Sequence, residues 1–307
     1  MSGFAGAMSA AGASPRRRRQ IALAVAGLLL AGGIVVAATI AAPPASAAGI
    51  SVLAGKGGNG GGKGGGGGGG GGGTTEAAWG AIGDSFASGV GAGSYLDNTC
   101  YRSSKSYPSL LGSDTDKQLV SFLACSGADT AAVTSQAASL STTLKTVTVT
   151  VGGNDVGFAD VMQNCFVLPS SSCRSEIDAG AALAQSEGFR ANLAGVITAV
   201  KLRAPNATVM VTGYPRLFWL NASGVNPKYA WADEVNLETS ALNDVIEQVA
   251  TANGATFVDV EPAFAGRGIG SSSPWINDWR WLSSTNSFHP NAAGYVAYAA
   301  AIRSALP

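Results

Sequence analysis

The sequence predicts an α/β fold of three layers, α/β/α, with a central five-stranded parallel sheet. Three observations lead there. Short apolar, β-branched runs at 77–82, 118–124, 146–152, 207–213 and 255–260 read as strands, the third containing Thr146-Val147-Thr148-Val149-Thr150-Val151. Stretches with helical spacing at 129–140, 187–204 and 232–253 lie between them, and a fourth at 291–305 ends the chain. Most of the apolar runs are bounded by Gly, Asn, Asp or Pro, residues that favour turns over strand ladders. Strands separated by helices pair in parallel, with the helices covering both faces of the sheet.

Ahead of this pattern the composition changes character. Residues 1–75 hold six Lys/Arg and no acid, whereas residues 76–307 hold thirteen Lys/Arg and nineteen Asp/Glu, a net charge of −6. Arg16-Arg17-Arg18-Arg19 precede an apolar stretch from Ile21 to Ala42, and Pro43-Pro44-Ala45-Ser46-Ala47 offers a small-residue cleavage site after Ala47. Residues 1–47 therefore read as a signal peptide and the protein as secreted. The apolar stretch exceeds the roughly 7–15 residues of an ordinary signal core, so an uncleaved anchor over residues 21–42 is the alternative. Residues 48–75 read as a flexible linker, because from Gly55 to Gly73 only Lys56, Asn59 and Lys63 interrupt glycine. A phosphate cradle would need a Lys-Ser/Thr ending that the tract lacks. Residues 76–307 form the domain, long enough for one sizeable core and without the basic run that nucleic acid would require. Membrane contact is expected only through the leader or a lipid substrate, and the expected state is a monomer.

The chemistry is read from four segments in chain order. Ser85 follows the first strand in Gly83-Asp84-Ser85-Phe86, a strand-to-helix turn that would present its hydroxyl; the competing reading is a plain helix cap. Gly127, in Cys125-Ser126-Gly127-Ala128-Asp129, follows the second strand, and its N–H is a candidate oxyanion donor unless the segment is only a turn. Asn154, in Gly152-Gly153-Asn154-Asp155, places an amide at the tip of the third strand. His289, in Asn286-Ser287-Phe288-His289-Pro290, is the one histidine of the chain and stands just before the last helix. A histidine metal site usually needs several such ligands, whereas activating a serine needs one imidazole. No metal or organic cofactor is expected.

Four cysteines, Cys100, Cys125, Cys165 and Cys173, fall in the exported domain, where an even count argues for two disulfides. Three pairings are open. The sequential one, Cys100–Cys125 with Cys165–Cys173, is preferred because each bridge then clamps a local loop. In Trp275-Ile276-Asn277-Asp278-Trp279-Arg280-Trp281, the indoles either wall an acyl pocket or pack a long loop on the core.

Together, in this order, the four segments resemble the SGNH hydrolases, also called the GDSL lipase/esterase family, over residues 77–305. The resemblance is nearest to the secreted actinobacterial lipase/esterase branch, with its disulfides and a segment like Gly213-Tyr214-Pro215. It implies a flavodoxin-like sheet and ester hydrolysis, lipase or phospholipase included. Ser85 is then the nucleophile and His289 the general acid/base, with the Ser85 N–H, Gly127 N–H and Asn154 side chain as oxyanion donors. One position departs from the pattern. Most members carry an aspartate three residues before the histidine, where this chain has Asn286, and an amide lacks the charge of a carboxylate. The expectation is a Ser85–His289 dyad whose imidazole is oriented by the backbone carbonyl of Ser287 or Asn286. Two rival functions stand beside ester hydrolysis: a carbohydrate deacetylase or acyltransferase on the same fold, and a non-catalytic surface-binding module.

Overall fold

The structure, a computed structural model, describes residues 77–113 and 117–306. The leader and linker read from residues 1–75 lie outside the described residues.

Five strands form one sheet: β1 (Ala77–Gly83), β2 (Lys117–Phe122), β3 (Thr146–Thr150), β4 (Thr208–Thr212) and β5 (Thr256–Val258). Their order is β2-β1-β3-β4-β5 and every pairing is parallel. From β1 the chain moves outward to β2, then returns across the sheet to β3 and continues through β4 to β5. The direction of winding thus reverses between β1 and β3. Ligand crevices open at such reversals, beyond the carboxyl ends of the strands.

The helices predicted from spacing are present with shorter ends: α3 (Thr130–Ala138), α6 (Glu187–Arg203), α7 (Ala232–Ala252) and α8 (Ala292–Ala305). Three begin at side-chain caps, where Asp129, Ser186 and Asn291 accept backbone N–H groups of the first turn. The second and fifth strands are shorter than expected, because the chain leaves the sheet after Phe122 toward Cys125 and after Val258 toward Glu261. Four further helices were not legible in the spacing: α1 (Ser85–Ser88), α2 (Tyr107–Gly112), α4 (Phe158–Met162), which runs into a π-helical turn at Gln163–Val167, and α5 (Cys173–Ala184). The first three have too few turns to show a period. The fourth follows Ser170-Ser171-Ser172, which reads as loop.

The Thr/Val strand reads as polar on alternate residues, yet Val147 through Thr150 are all fully buried. A chain of hydroxyls makes this possible. Thr150 Oγ1 contacts the Tyr107 hydroxyl at 2.9 Å and Thr212 Oγ1 at 2.7 Å; Thr212 contacts the Tyr298 hydroxyl at 2.8 Å, which donates to the Gly213 carbonyl at 2.6 Å. Each of these four hydroxyls finds a partner, and so avoids the cost of an unmade bond.

The cysteines are joined Cys100–Cys125 and Cys165–Cys173. The first bridge ties the loop after α1 to the segment holding Gly127, and the second ties the π-helical turn to the start of α5. Closing loops of 25 and 8 residues removes unfolded-chain entropy worth about 3.5 and about 2.5 kcal/mol.

Candidate active site

Gly83 ends β1 at φ 139°, where a Cβ would stand 2.3 Å from the Thr150 carbonyl oxygen. Only glycine lets the chain pass this close to β3 before turning into α1. Asp84 caps that helix, its Oδ1 accepting the Phe86 N–H at 2.9 Å. The cap is thus made by Asp84, which leaves the Ser85 hydroxyl uncommitted to that role. Ser85, at the first helical position, keeps 8% of its surface exposed and faces a cavity. Its N–H makes no backbone bond among the described residues, as expected for the first residue of a helix.

His289 meets Ser85 across the strand ends, with Nε2 2.7 Å from Ser85 Oγ. Its Nδ1 lies 2.8 Å from the Ser287 carbonyl oxygen. A carbonyl can only accept, so Nδ1 carries the ring proton and Nε2 presents its lone pair to the serine hydroxyl. Two features build this arrangement. Phe288 takes φ 61°, an uncommon backbone for a bulky residue, which folds the Ser287 carbonyl back toward the ring two residues later. Asn277 then holds the turn: its N–H donates to the His289 carbonyl at 2.8 Å, its carbonyl accepts the Phe288 N–H at 2.8 Å, and its side chain donates to the Gly91 carbonyl at 3.0 Å. Of the two candidate carbonyls, Ser287 is the one at the ring. The Asn286 side chain instead accepts from the Tyr95 hydroxyl.

The imidazole lies against Phe86 and Phe158, with ring centroids 5.0 and 6.1 Å away. Loss of water around the ring lowers its pKa from 6.5 to about 4, and the bond to Ser287 only partly opposes this. The ring is thus a neutral base across the ordinary pH range. The sign on stability follows: an unfolded chain takes up a proton below about pH 6.5 that the folded chain refuses until about 4, so stability falls as pH drops through that window.

The other two segments converge on the same end of the sheet. Asn154 Nδ2 donates to the Ala128 carbonyl at 2.9 Å, which leaves its second N–H free for a ligand. Asp155 accepts from both the backbone N–H and the hydroxyl of Thr130, so the third-strand turn is bound twice to the segment that carries Gly127. Gly127 itself sits at φ 82° with open space where a Cβ would be, and its N–H makes no backbone bond among the described residues. Ser85 and Asn154 both line the cavity; Gly127 precedes the Ala128 carbonyl that Asn154 holds and is not part of the cavity wall.

The cavity extends from Ser85 between α4, α5 and α7 and holds about 780 Å³ not filled by atoms, part of it open solvent. Phe158, Val161, Met162, Ile177, Leu217 and Leu242 make its wall apolar. None of the tryptophans contributes. Trp275 packs edge-on against Phe264 and under Arg267, Trp279 stacks on Phe288, and Trp281 is 82% exposed. Of the two readings of the indoles, loop packing is the one the first two follow. Asp278 is engaged by Lys228 and by the Tyr229 hydroxyl at 2.7 Å, away from the imidazole. Among the described residues no group of three His, Cys, Asp or Glu side chains is placed to hold a metal ion.

Residues 81–297 match the GDSL-like Lipase/Acylhydrolase family. The chain belongs to this family. A lipase of Streptomyces coelicolor, Lipase 1, is 41% identical to this GDSL hydrolase over 217 residues, which span 70% of this chain and 81% of that protein. A lipase of Streptomyces rimosus is 39% identical over 220 residues, again 70% of this chain and 81% of the relative. Two crystal structures share the fold: phospholipase A1 from Streptomyces albidoflavus (36% identity, TM-score 0.68, 75% of this chain and 99% of that one) and the extracellular lipase from Streptomyces rimosus (37%, TM-score 0.70, 75% and 100%). The GDSL chain is accordingly a carboxylic ester hydrolase, a lipase/esterase, on a three-layer sheet of the SGNH type.

Sequence reasoning missed Asn277, which no spacing distinguishes within the Trp-rich stretch. It also gave no role to Tyr214 or Asp155, and to Asp84 only that of a helix cap.

Proposed function

We propose that this hydrolase cleaves acyl esters through an acyl-enzyme on Ser85, driven by a Ser85–His289 dyad. The contact that carries the reading is the 2.7 Å approach of His289 Nε2 to Ser85 Oγ, with the ring locked by the Ser287 carbonyl. His289 takes the serine proton as Ser85 Oγ attacks the ester carbonyl. The tetrahedral oxyanion is held by the Ser85 N–H, the Gly127 N–H and the free Asn154 N–H. Its collapse breaks the ester C–O bond, and the alcohol leaves with the proton from His289. Water then attacks the acyl-serine with the same base, and the acid departs. No charged group replaces the missing aspartate; orientation by a carbonyl and the oxyanion donors supply the acceleration.

The apolar wall beside Ser85 favours an acyl chain over a polar acyl group or a sugar, because burying methylenes gains about 0.8 kcal/mol each. On p-nitrophenyl esters, kcat/KM is expected to rise from acetate through longer straight chains and to exceed that on an acetylated sugar. A preference for the acetylated sugar, or acyl transfer to an added alcohol in place of water, would move the chain to the deacetylase or acyltransferase class.

The basic, apolar leader of residues 1–47 supports export of the domain, and the similar lipase from Streptomyces rimosus is described as extracellular. Among the described residues no helix is long and apolar enough to cross a membrane.

A further inference from the structure

The Tyr214 hydroxyl joins the two halves of the site. It donates to Asp84 Oδ2 at 2.6 Å and accepts the Gly153 N–H at 3.0 Å. Since Asp84 Oδ1 accepts the Phe86 N–H, the bridge runs from the residues flanking Ser85 to the residue before Asn154. Tyr214 is itself fixed. Its N–H donates to Asn243 Oδ1 and its carbonyl accepts from Asn243 Nδ2, both at 2.8 Å, and its ring meets Phe86 edge-on at 5.1 Å.

A bridge that served only to hold two turns together would be cheaper without a charge. Asp84 is 1% exposed, and the groups that act on it or feel it are the phenols of Tyr214, Tyr107, Tyr295 and Tyr298 and the carboxylate of Asp155, with no cation among them. Burying a carboxylate in such surroundings is costly. What the carboxylate gives in return is direction. It only accepts, so the phenol hydrogen must point to it, and a phenol lone pair is left for the Gly153 N–H. With Oδ1 taken by the Phe86 N–H, an amide nitrogen or a protonated Oδ2 facing the phenol would donate into its oxygen and break that order.

We infer that Asp84 and Tyr214 are positioning residues, which hold Asn154 where the oxyanion at Ser85 requires its amide. The inference rests on the acyl-enzyme reading above. Burial raises the Asp84 pKa from 3.8 to about 7, against the Tyr214 bond that lowers it, so the ordered bridge forms as pH rises through about 7. The effect on stability has the opposite sign. The folded chain keeps a proton that the unfolded chain loses near 3.8, so stability declines from there to about pH 7 while activity climbs.

The test is Tyr214→Phe, which removes the hydroxyl and keeps the ring, with kcat, KM and the rate of Ser85 labelling by a fluorophosphonate measured across pH. In the wild type, kcat should show a limb near pH 7 that His289, titrating near 4, does not produce. In Tyr214→Phe, kcat and the labelling rate should fall together by roughly 10- to 100-fold, the cost of a small misplacement at the reacting centre. KM should stay within about twofold, and the limb should disappear, because without the hydroxyl the titration of Asp84 has no bridge to order. Asp84→Asn should lack the limb. Wild-type kcat in Tyr214→Phe, or a wild-type profile flat through pH 7, would overturn the inference; the wild-type profile decides even if the variants fail to fold. Absence of Ser85 labelling in the wild type would instead defeat the acyl-enzyme reading, whereas equal labelling of the wild type and Tyr214→Phe defeats only the positioning role.

Discussion

Replacing His289 by Ala is expected to lower kcat by roughly 10⁴- to 10⁶-fold, the range in which loss of the base disables a serine hydrolase. The chain contains no second histidine, and burial holds this one neutral, so nothing nearby can take over the proton. Asn286→Ala should behave differently. Its side chain accepts from Tyr95 and the ring is held by the Ser287 carbonyl, so the loss in kcat should remain under about tenfold, against roughly 10⁴-fold for a triad aspartate. Steady-state kinetics of the two variants on one soluble ester decides the matter. Equal, severe losses would mean that Asn286 orients the imidazole and that the carbonyl does not suffice.

The second large effect is expected at Asn154. Asn154→Ala should reduce kcat by about 10²- to 10³-fold with little change in KM, as removal of one oxyanion donor does. The amide commits one N–H to the Ala128 carbonyl and has one left; in the proposed mechanism that N–H meets the charge that develops in the transition state. The Asp155–Thr130 bonds remain in the variant and hold the turn, although the Asn154–Ala128 bond is lost with the amide. A large rise in KM with kcat unchanged would assign Asn154 to substrate binding and remove it from the oxyanion site.

The sheet was legible because a parallel strand buried on both faces leaves a continuous apolar or β-branched run, as at Thr146–Thr150, and because the long helices α6, α7 and α8 show their period over several turns. The pieces that shape the cavity were not. Helix α4, its π-helical turn and α5 are short or begin in a serine run, and they are shaped by the Cys165–Cys173 bridge and by packing on α7 more than by local pattern. Among site residues, Ser85, Asn154 and His289 stand at turns whose residue types announce a polar task. Tyr214 does not, because a buried tyrosine is ordinarily core, and its role exists only where the tip of β3 and the Ser85 turn come together. Asn277 acts mainly through its backbone and one amide, and no residue type predicts that. The positive φ of Phe288 is equally silent in sequence, since nothing about phenylalanine favours it.

The central claim is that Ser85 is the group acylated. Mass mapping of the folded protein after reaction with a fluorophosphonate tests it most directly: the account predicts one adduct, on the peptide containing Ser85, absent in Ser85→Ala and strongly slowed in His289→Ala. An adduct on another residue, or an unmodified Ser85 in protein that still hydrolyses esters, would contradict it.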